Sequence, residues 1–550
     1  MQHFNIVTRR GFFDRSLKLG LGVALATLTN IPFVMKRALA EGTIGLNQKK
    51  LLFIFLRGAN DSLNSLIPIQ DPAYAPNRPQ IRIPKGASDY SATGAMDDFS
   101  GMNGFPTEAI RSGNGFAALN PFLKYWAPAY NAGDLALIHR VGYPRQSRSH
   151  FDSQNYWENG NPNNNLSKDG IFYRTMIESG LANTNPLTGI SIQSALPLIL
   201  RGSEAAMTNI GDPTRFKLLG IPNNAAGTFK ATNNINAANG FPVPEKMNRE
   251  LLNLQYQNME KVLNEFAVGA DFSENGNTFI DTTTGYHLFP TANAKNAGGV
   301  VANYVVDTAS ASYNFFKNLK AAALVLNKTD AIIAGTELGG FDTHSDQIAT
   351  VSGTPNPLSG AHANLQKRIG WAMYALRKYF MQYGAGSGDP TARATWENTI
   401  VVTLSEFGRT TVQNGTLGTD HAEGGAIFVA GGAVKGYGKN GRTTGIFGCH
   451  PDDSYNGISK SLIGWVPGQP TGTTGSMFGI SSRYLKRTID YRSILGELIR
   501  DHLGATQDQL DRIIPGYAVP NQKLKNGGTT SNSTTEKTDG TTIAGELDLV

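Results

Sequence analysis

The chain has 550 residues, of which 40% are hydrophobic and 17% charged, and it contains 62 glycines. This composition is typical of a globular, loop-rich protein and excludes a fibrous or largely disordered one. Six of the Lys/Arg residues and one acid lie in residues 1–40, so the remaining chain has 43 basic and 42 acidic residues. That balance gives no clustered positive surface, and we expect no nucleic-acid partner.

The first 40 residues resemble an export signal. Residues 8–12 (TRRGF) match the twin-arginine pattern of Ser/Thr, two arginines, any residue and Phe, and residues 38–40 (ALA) form a small-x-small cleavage signal. The apolar run between them is too short and too rich in glycine for a membrane anchor. We therefore expect the twin-arginine export machinery as a partner, cleavage near Ala40, and a mature protein without a transmembrane anchor in the periplasm or outside the cell.

Five apolar runs of strand length follow in chain order: 50–56, 134–142, 330–338, 399–404 and 426–432. Continuous apolar runs are typical of strands that are buried on both faces of a parallel sheet. Between the third and fourth runs, apolar residues recur at spacings of three and four and predict one amphipathic helix: Leu365, Ile369, Met373, Leu376 and Phe380. A strand–helix–strand crossover of this kind predicts a parallel sheet.

The other segments differ in composition. Residues from about 160 to 325 are rich in Asn, Gly, Thr and Ala, and we interpret them as a large insertion that covers the working edge of the sheet. Residues 490–504 predict a helix with Asp490 as N-cap and Gly504 at its C-terminal end. From residue 521 the chain enters a stretch almost free of apolar side chains (NQKLKNGGTTSNSTTEKTDGTT), so we predict a disordered low-complexity tail over 521–550, which leaves one α/β domain over 41–520. Cys449 is the only cysteine, which excludes an intrachain disulfide and a cysteine-based zinc or iron–sulfur site.

Polar clusters stand at the ends of the predicted strands. The first four runs are each followed by such a cluster, and the fifth is preceded by one: Arg57, Asn60 and Asp61; Arg145, Ser147, Arg148, Ser149, His150 and Asp152; Asp342 and His344; Ser405, Glu406 and Arg409; Asp420 and His421. Ligands of open parallel sheets bind beyond the carboxyl ends of the strands, so we expect these clusters to meet on one rim. Their carboxylates and imidazoles are ligands for zinc, manganese, iron or calcium.

Five motifs carry a resemblance to a known family: FLRGANDSLN, HRVGYPRQSRSHFDSQNYWE, GGFDTHSDQ, SEFGRT and GTDHAEGGAIFVAGG. The chain resembles domain-of-unknown-function family 1501, whose members are exported proteins placed in the alkaline phosphatase and sulfatase superfamily. The resemblance implies a three-layer α/β/α sandwich with a mostly parallel central sheet and a covering insertion. It also implies an exported, metal-dependent hydrolase of phosphate or sulfate esters, with an anionic ester as substrate and a divalent metal such as zinc, manganese or calcium as cofactor.

The resemblance assigns roles to individual positions. The predicted metal ligands are Asp61, Asp342, His344, Glu406, Asp420 and His421. The predicted catalytic residues are Ser149, as nucleophile at a helix start, with His150 and Arg148. The predicted substrate-binding residues are Arg57, Asn60, Arg145 and Arg409, of which the arginines would bind phosphate or sulfate oxygens.

Two positions depart from the superfamily pattern and keep alternatives open. Arg57 stands where the first strand normally ends in a metal-binding Asp, and Phe407 stands where a metal-binding His is usual. A non-catalytic relative, acting as a periplasmic or cell-surface binding or assembly protein, is therefore the main alternative. Ser149 also fits a plain helix N-cap, and Asp342 with His344 also fits ordinary turn chemistry. A redox enzyme is a third class, for which the sequence offers no cofactor fingerprint.

Overall fold

A computed structural model describes residues 44–182, 187–213, 279–291, 305–453, 484–530 and 542–550, except residues 46, 206 and 486. The predicted export signal at 1–40 lies outside these residues. Among the described residues, no helix combines the length and the apolarity needed to cross a membrane.

Within the described part of the chain, nine strands form one central sheet. They are β1 (Lys50–Leu56), β2 (Leu135–Gly142), β3 (Gly189–Ser191), β4 (Thr208–Asn209), β5 (Ile333–Leu338), β6 (Thr399–Leu404), β7 (Gly425–Ala430), β8 (Ile446–Phe447) and β9 (Ile489–Asp490). Their order is β8-β2-β7-β6-β1-β5-β3-β4, and β9 pairs with β2. The predicted α/β class with a mostly parallel central sheet is confirmed.

Strand β7 is the exception to the parallel arrangement, because it runs antiparallel to both of its neighbours, β6 and β2. Its beginning therefore lies at the edge of the sheet where the parallel strands end. This direction explains why a loop that precedes β7 reaches the same rim as loops that follow β2, β5 and β6.

Among the described residues, six helices flank the sheet: α1 (His150–Asn159), α2 (Ile171–Glu178), α3 (Ser310–Lys328), α4 (Ala361–Gln382), α5 (Tyr491–Glu497) and α6 (Gln507–Ile513). Alternate residues of β1 pack into two different cores. Leu52 and Ile54 belong to one core with α3 and α4, whereas Phe53 and Phe55 belong to the other with α2, α5 and α6. Helices thus cover both faces of the sheet, which is why every residue of β1 is buried. Helix α4 is the predicted crossover helix.

Shorter elements complete the described fold. Two short helices span Tyr74–Asn77 and Ala127–Asn131. Three small antiparallel sheets are also present among the described residues. In the first, Ala118–Leu119 pairs with both Leu66–Ile67 and Ile110–Arg111. The other two pair Ala349–Val351 with Thr354–Asn356 and Gly528–Thr529 with Thr542–Ile543.

The start of α5 follows the sequence prediction. The Asp490 carboxylate accepts a hydrogen bond from the backbone N–H of Arg492 at 3.0 Å and caps the helix. A π-helical turn, Leu498–His502, extends α5 toward Gly504, whose φ of 88° is the left-handed conformation that favours glycine.

Two segments differ from the sequence prediction. Within the region interpreted as a covering insertion, β3 and β4 extend the central sheet beside β5, because very short strands leave little trace in composition. Within the predicted disordered tail, Thr542–Ile543 pairs with Gly528–Thr529, and Leu549 is fully buried. A few apolar side chains are enough to order such a segment when a core built by other elements receives them.

Candidate metal centre

Two histidine-bearing loops lie side by side at the rim of the sheet. Residues 339–347 follow β5, and residues 418–421 precede β7. The backbone N–H of Thr419 donates to the carbonyl oxygen of Thr343 at 3.1 Å. At Gly418 a Cβ atom would lie only 2.3 Å from the carbonyl oxygen of His344, so the close approach of the two loops requires glycine at this position. The rim is therefore assembled by direct backbone contact between these loops.

Three imidazole rings meet where these loops approach α1. The Nε2 atom of His421 lies 2.9 Å from Nε2 of His150 and 2.8 Å from Nε2 of His344. The Oδ1 atom of Asp342 lies 3.1 to 3.3 Å from all three Nε2 atoms. One carboxylate oxygen and three ring nitrogens, drawn from two loops and the start of α1, thus form a single cluster.

The other nitrogen of each ring has its own acceptor. His150 Nδ1 lies 2.9 Å from Oε1 of Glu406, and His344 Nδ1 lies 3.1 Å from Oδ1 of Asp420. His421 Nδ1 lies 2.8 Å from the backbone carbonyl oxygen of Arg148. Carboxylate and carbonyl oxygens only accept, so these contacts place a proton on each Nδ1 and leave each neutral Nε2 with a lone pair.

This protonation pattern is the one that a metal requires. The Nε2 lone pair of His421 repels that of His150 at 2.9 Å and that of His344 at 2.8 Å unless a cation or a proton lies between the rings. Metal-binding histidines usually donate their second N–H to a carboxylate or a backbone carbonyl, which fixes the ring and makes the ligand more basic. Ligand atoms around one tetrahedral zinc ion lie about 3.3 Å apart, given metal–nitrogen distances near 2.0–2.1 Å. The contacts of 2.9–3.3 Å among His150, Asp342 and His421 are close to this spacing, and His344 lies beside them, 2.8 Å from His421 and 3.1 Å from Asp342.

The electrostatics of the cluster are uneven. Burial alone would raise the pKa of Asp342, but the hydrogen bond and charge of Arg409 outweigh it and hold the pKa at about 2. The hydrogen bond to Glu406 raises the pKa of His150, although burial acts against it. Burial lowers the pKa of His421, and the neighbouring His150 adds to this effect. The Asp342 carboxylate is therefore ionised across the ordinary pH range.

Glu406 and Asp420 were predicted as metal ligands, but their carboxylates contact the Nδ1 atoms of His150 and His344 behind the cluster. Glu406 is fully buried, and its Oε1 accepts from His150, from the backbone N–H of Gly58 at 2.7 Å and from Gln154 at 3.0 Å. Burial acts to raise its pKa, but these hydrogen bonds lower it overall. Both acids hold ring nitrogens of the cluster rather than adding oxygen atoms to it.

Asp61 was also predicted as a metal ligand, but it lies outside the cluster. It forms a buried ion pair with Arg78 at 2.7 Å and accepts from Gln347 at 2.7 Å. Burial would raise its pKa, and the Arg78 charge lowers it overall. Neither Arg78 nor Gln347 was identified from the sequence, because an isolated arginine in a polar loop carries no motif. The Arg78 ion pair removes Asp61 from the candidate ligand set.

The predicted substrate-binding residues are mostly engaged inside the protein. Arg57 forms ion pairs with Glu158 at 2.6 Å and with Glu337 at 3.1 Å. Asn60 is buried and accepts from Gln366 at 3.0 Å.

Arg409 is buried, binds the backbone carbonyls of Ala59 and Phe341, and pairs with Asp342. It therefore braces the loops instead of facing a substrate. Arg145 is exposed, and Arg148 is half-buried with its guanidinium 4.4 Å from the centre of the Tyr484 ring. Arg145, a predicted substrate contact, and Arg148, a predicted catalytic residue, therefore keep access to solvent.

Ser149 begins α1, as both of its sequence interpretations require. Its hydroxyl accepts from the backbone N–H of Asp152 at 3.4 Å, which is a long helix-capping contact. The next residue, His150, was predicted to be catalytic but supplies an Nε2 atom to the cluster. Its place within the polar cluster that follows β2 was the sequence signal available for this role.

Phe407 closes one side of the cluster. It is fully buried, and its ring centre lies 4.7 Å from the His150 ring and 4.9 Å from the His421 ring. An apolar wall of this kind keeps water from the rings and strengthens their interaction with a charged ligand. Phe407 therefore contacts the cluster without adding a ligand atom to it.

Comparison with curated proteins and with solved structures finds no match. A family model described as "Protein of unknown function (DUF1501)" matches residues 48–451. The matched region contains all four residues of the cluster and β1–β8. The chain therefore belongs to the DUF1501 family.

Proposed function

We propose that the protein is an exported, metal-dependent hydrolase of phosphate or sulfate esters. One observation carries the proposal: three imidazole Nε2 atoms and the Asp342 carboxylate converge, while every Nδ1 is held by an acceptor. Such second-nitrogen contacts are typical of metal-binding histidines and are not needed for a turn.

The four proposed ligands are His150, His344, His421 and Asp342. Three imidazoles favour a transition ion such as zinc, manganese or iron over calcium, which prefers oxygen ligands. A bound divalent ion supplies a Lewis acid that polarises the oxygens of a phosphate or sulfate ester. The side chains of Asp342 and His344 are 46% and 45% exposed, so this side of the cluster is open to a substrate.

The chain's own residues supply the remaining functions. Ser149 is the proposed nucleophile, because it precedes His150 at the start of the ten-residue helix α1 and its hydroxyl is held only by a long contact. Attack by its oxygen on phosphorus or sulfur would form a seryl ester and expel the alcohol of the substrate, which takes up the hydroxyl proton. Water would then cleave the seryl ester to release phosphate or sulfate and restore the hydroxyl. Arg145 and Arg148 are proposed to hold the anionic oxygens, and the backbone N–H groups at the start of α1 favour negative charge there.

The alternative function is a non-catalytic binding or assembly protein of the periplasm or cell surface. It is favoured by the internal ion pairs of Arg57 and Arg409, which remove two predicted contacts from an anionic substrate. The residues that would hold a metal do not distinguish the two functions, because a non-catalytic relative can also bind the ion.

The deciding experiment combines metal analysis with activity. Protein purified from the exported fraction would be analysed by inductively coupled plasma mass spectrometry and tested with p-nitrophenyl phosphate and p-nitrophenyl sulfate. The hydrolase proposal expects at least one transition ion per chain and hydrolysis that a chelator abolishes. Protein that carries a metal but hydrolyses no ester in a broad panel would support the binding alternative, and protein without metal would reject the metal centre.

A further inference from the structure

The side-chain amide of Gln347 joins the two histidine-bearing loops inside the protein. Its Oε1 atom accepts a hydrogen bond from the hydroxyl of Thr343 at 3.1 Å and another from the hydroxyl of Thr419 at 2.8 Å. Gln347 and Thr419 are fully buried, and Thr343 is only 4% exposed. One amide oxygen therefore holds both loops at a place that solvent does not reach.

The two threonines stand beside the proposed metal ligands in the chain. Thr343 lies between Asp342 and His344, and Thr419 lies two residues before His421. Neighbouring Cα atoms are about 3.8 Å apart, so a shift of either threonine moves a ligand-bearing residue with it. The two hydroxyl contacts therefore act within two residues of three of the four proposed ligands.

Gln347 is itself anchored by contacts to two other parts of the fold. Its Nε2 donates to Oδ2 of Asp61 at 2.7 Å, and the same oxygen accepts from the Arg78 guanidinium at 2.7 Å. Its backbone carbonyl accepts from the N–H of His362, in the first turn of α4, at 3.0 Å. A carboxylate only accepts, so Asp61 takes the NH2 end of the amide and turns Oε1 toward the two hydroxyls. Asp61 thus fixes the orientation of the amide although it lies outside the cluster.

The backbone keeps the two loops together independently of this amide. The N–H of Gln347 donates to the carbonyl oxygen of Leu417 at 3.1 Å, and the backbone bond between Thr419 and Thr343 adds a second link. We therefore expect the fold to survive removal of the amide, with only a small change in the spacing of the loops. Metal–ligand distances are held within about 0.2 Å, so a metal site is sensitive to a change of that size.

We infer that Gln347 is a positioning residue, which sets the spacing between His344 and His421 through the two threonines. It supplies no ligand atom and acts only through their hydroxyls. The inference rests on the metal centre of the proposed function but not on ester hydrolysis. Residues that orient metal ligands usually change metal affinity about 10–100-fold when they are lost, and Gln347 acts at one further remove, so we expect an effect of about tenfold.

The test compares Gln347→Met with Gln509→Met in the full mature chain. Methionine keeps a similar length and removes the amide. Gln509 is a matched control, because it is also fully buried and its amide also makes two hydrogen bonds, with the N–H of Thr506 at 2.9 Å and the carbonyl of Glu178 at 3.1 Å. Competition with a fluorescent chelator would give the zinc affinity, and the absorption spectrum of bound Co²⁺ would report the coordination geometry. Urea unfolding of the metal-free proteins would measure the stability that each variant loses.

We expect Gln347→Met to bind zinc about tenfold more weakly than the wild type and to change the spectrum of bound Co²⁺. Gln509→Met should lose a similar amount of stability and keep both metal properties, which separates positioning from a merely structural role. Thr419→Val removes the 2.8 Å contact with little change of shape and should change both metal properties in the same direction. Added to Gln347→Met, it should lower the affinity no further, because both changes break the same contact.

Wild-type zinc affinity together with an unchanged Co²⁺ spectrum in folded Gln347→Met would overturn the inference. If Gln347→Met does not fold, the same result in Thr419→Val would overturn it. A wild type that binds neither zinc nor Co²⁺ would overturn the inference together with the metal centre. A wild type that binds both ions but hydrolyses no ester would reject only the hydrolase proposal, and the expected changes in metal binding would still support the role of Gln347.

Discussion

His344 Nε2 lies 2.8 Å from His421 Nε2, although 77 residues separate the two along the chain. Both rings direct their other nitrogen to an acceptor, Asp420 Oδ1 for His344 and the Arg148 carbonyl for His421. Two neutral imidazoles with lone pairs at this distance repel each other, so the arrangement is stable only with a cation or a shared proton between them. This relationship is the basis of the first prediction.

The change of His421 to Ala should lower metal content and ester hydrolysis together. His421 Nε2 contacts both other imidazoles and Asp342, so its loss removes the central ligand. We expect metal affinity to fall at least about 100-fold. Losing a residue that only hydrogen-bonds a metal ligand usually lowers the affinity about 10–100-fold, and losing the ligand itself should cost more. Added zinc should raise the melting temperature of the wild type but not of the variant. His450→Ala, outside the cluster, is the control and should keep both properties. Equal zinc stabilisation of wild type and His421→Ala would reject the metal centre.

The change of Glu406 to Gln should weaken metal binding about 10–100-fold without removing a ligand. Glu406 holds Nδ1 of His150, and a neutral amide makes that imidazole a weaker base. Competition with a fluorescent zinc chelator would measure the affinity. Glu497→Gln is a matched control, because Glu497 is equally buried and accepts only from the C-terminal segment. An unchanged zinc affinity in Glu406→Gln would show that this carboxylate has no influence on the cluster.

The change of Ser149 to Ala should leave the metal in place and abolish turnover. The variant also loses the acceptor for the Asp152 N–H, which should cost about 0.5–2 kcal/mol of unfolding free energy. Thr506→Ala removes the capping contact at the start of α6, far along the chain, and controls for that loss of stability. We expect both variants to lose stability in urea titrations and only Ser149→Ala to lose activity. Full activity of Ser149→Ala would assign this residue a capping role alone.

The stability of the C-terminal segment should depend on pH through Glu497. Burial raises the pKa of Glu497 to about 7, even though the backbone N–H groups of Leu549 and Leu547 act against it. The folded protein therefore binds more protons than the unfolded chain between about pH 4.5, the ordinary value, and pH 7. The Glu497 contribution to stability is present below that range and is lost as pH rises through it. Urea unfolding at pH 5 and pH 7 should show this loss in the wild type and a smaller one in Glu497→Gln. Identical pH profiles would contradict the assignment.

The export prediction rests on Arg9 and Arg10, which lie outside the described residues. Changing both to Lys keeps the charge but removes the arginine pair, and should leave unprocessed precursor inside the cell. Cell fractionation with immunoblotting would measure this, and N-terminal sequencing of the wild type should begin near Glu41. Normal export of the double variant, or a mature N-terminus far from Glu41, would reject the predicted route.

The sequence alone predicted five of the nine described strands of the central sheet, the crossover helix and the meeting of polar loops on one rim. Each of these rests on local patterns: continuous apolar runs for the buried strands, spacings of three and four for α4, and polar residues directly after the first four runs and before the fifth. The start of α5 at Asp490 was also predictable, because a capping residue acts within one turn of its helix. Such features survive in sequence because neighbouring residues create them.

Only the tertiary structure decided which side chains form the cluster and which stand behind it. The side chains of His150, Glu406 and Asp420 are all of types that bind metals. Their roles depend on contacts of about 3 Å between segments that are far apart in sequence. Those distances follow from the antiparallel direction of β7 and from backbone contacts such as Thr419 with Thr343. Asp61 forms an ion pair with Arg78 instead of joining the cluster, and Arg78 belongs to no motif that could have predicted this contact. Likewise, the C-terminal residues are ordered by a core they do not build, so their own composition gives no sign of it.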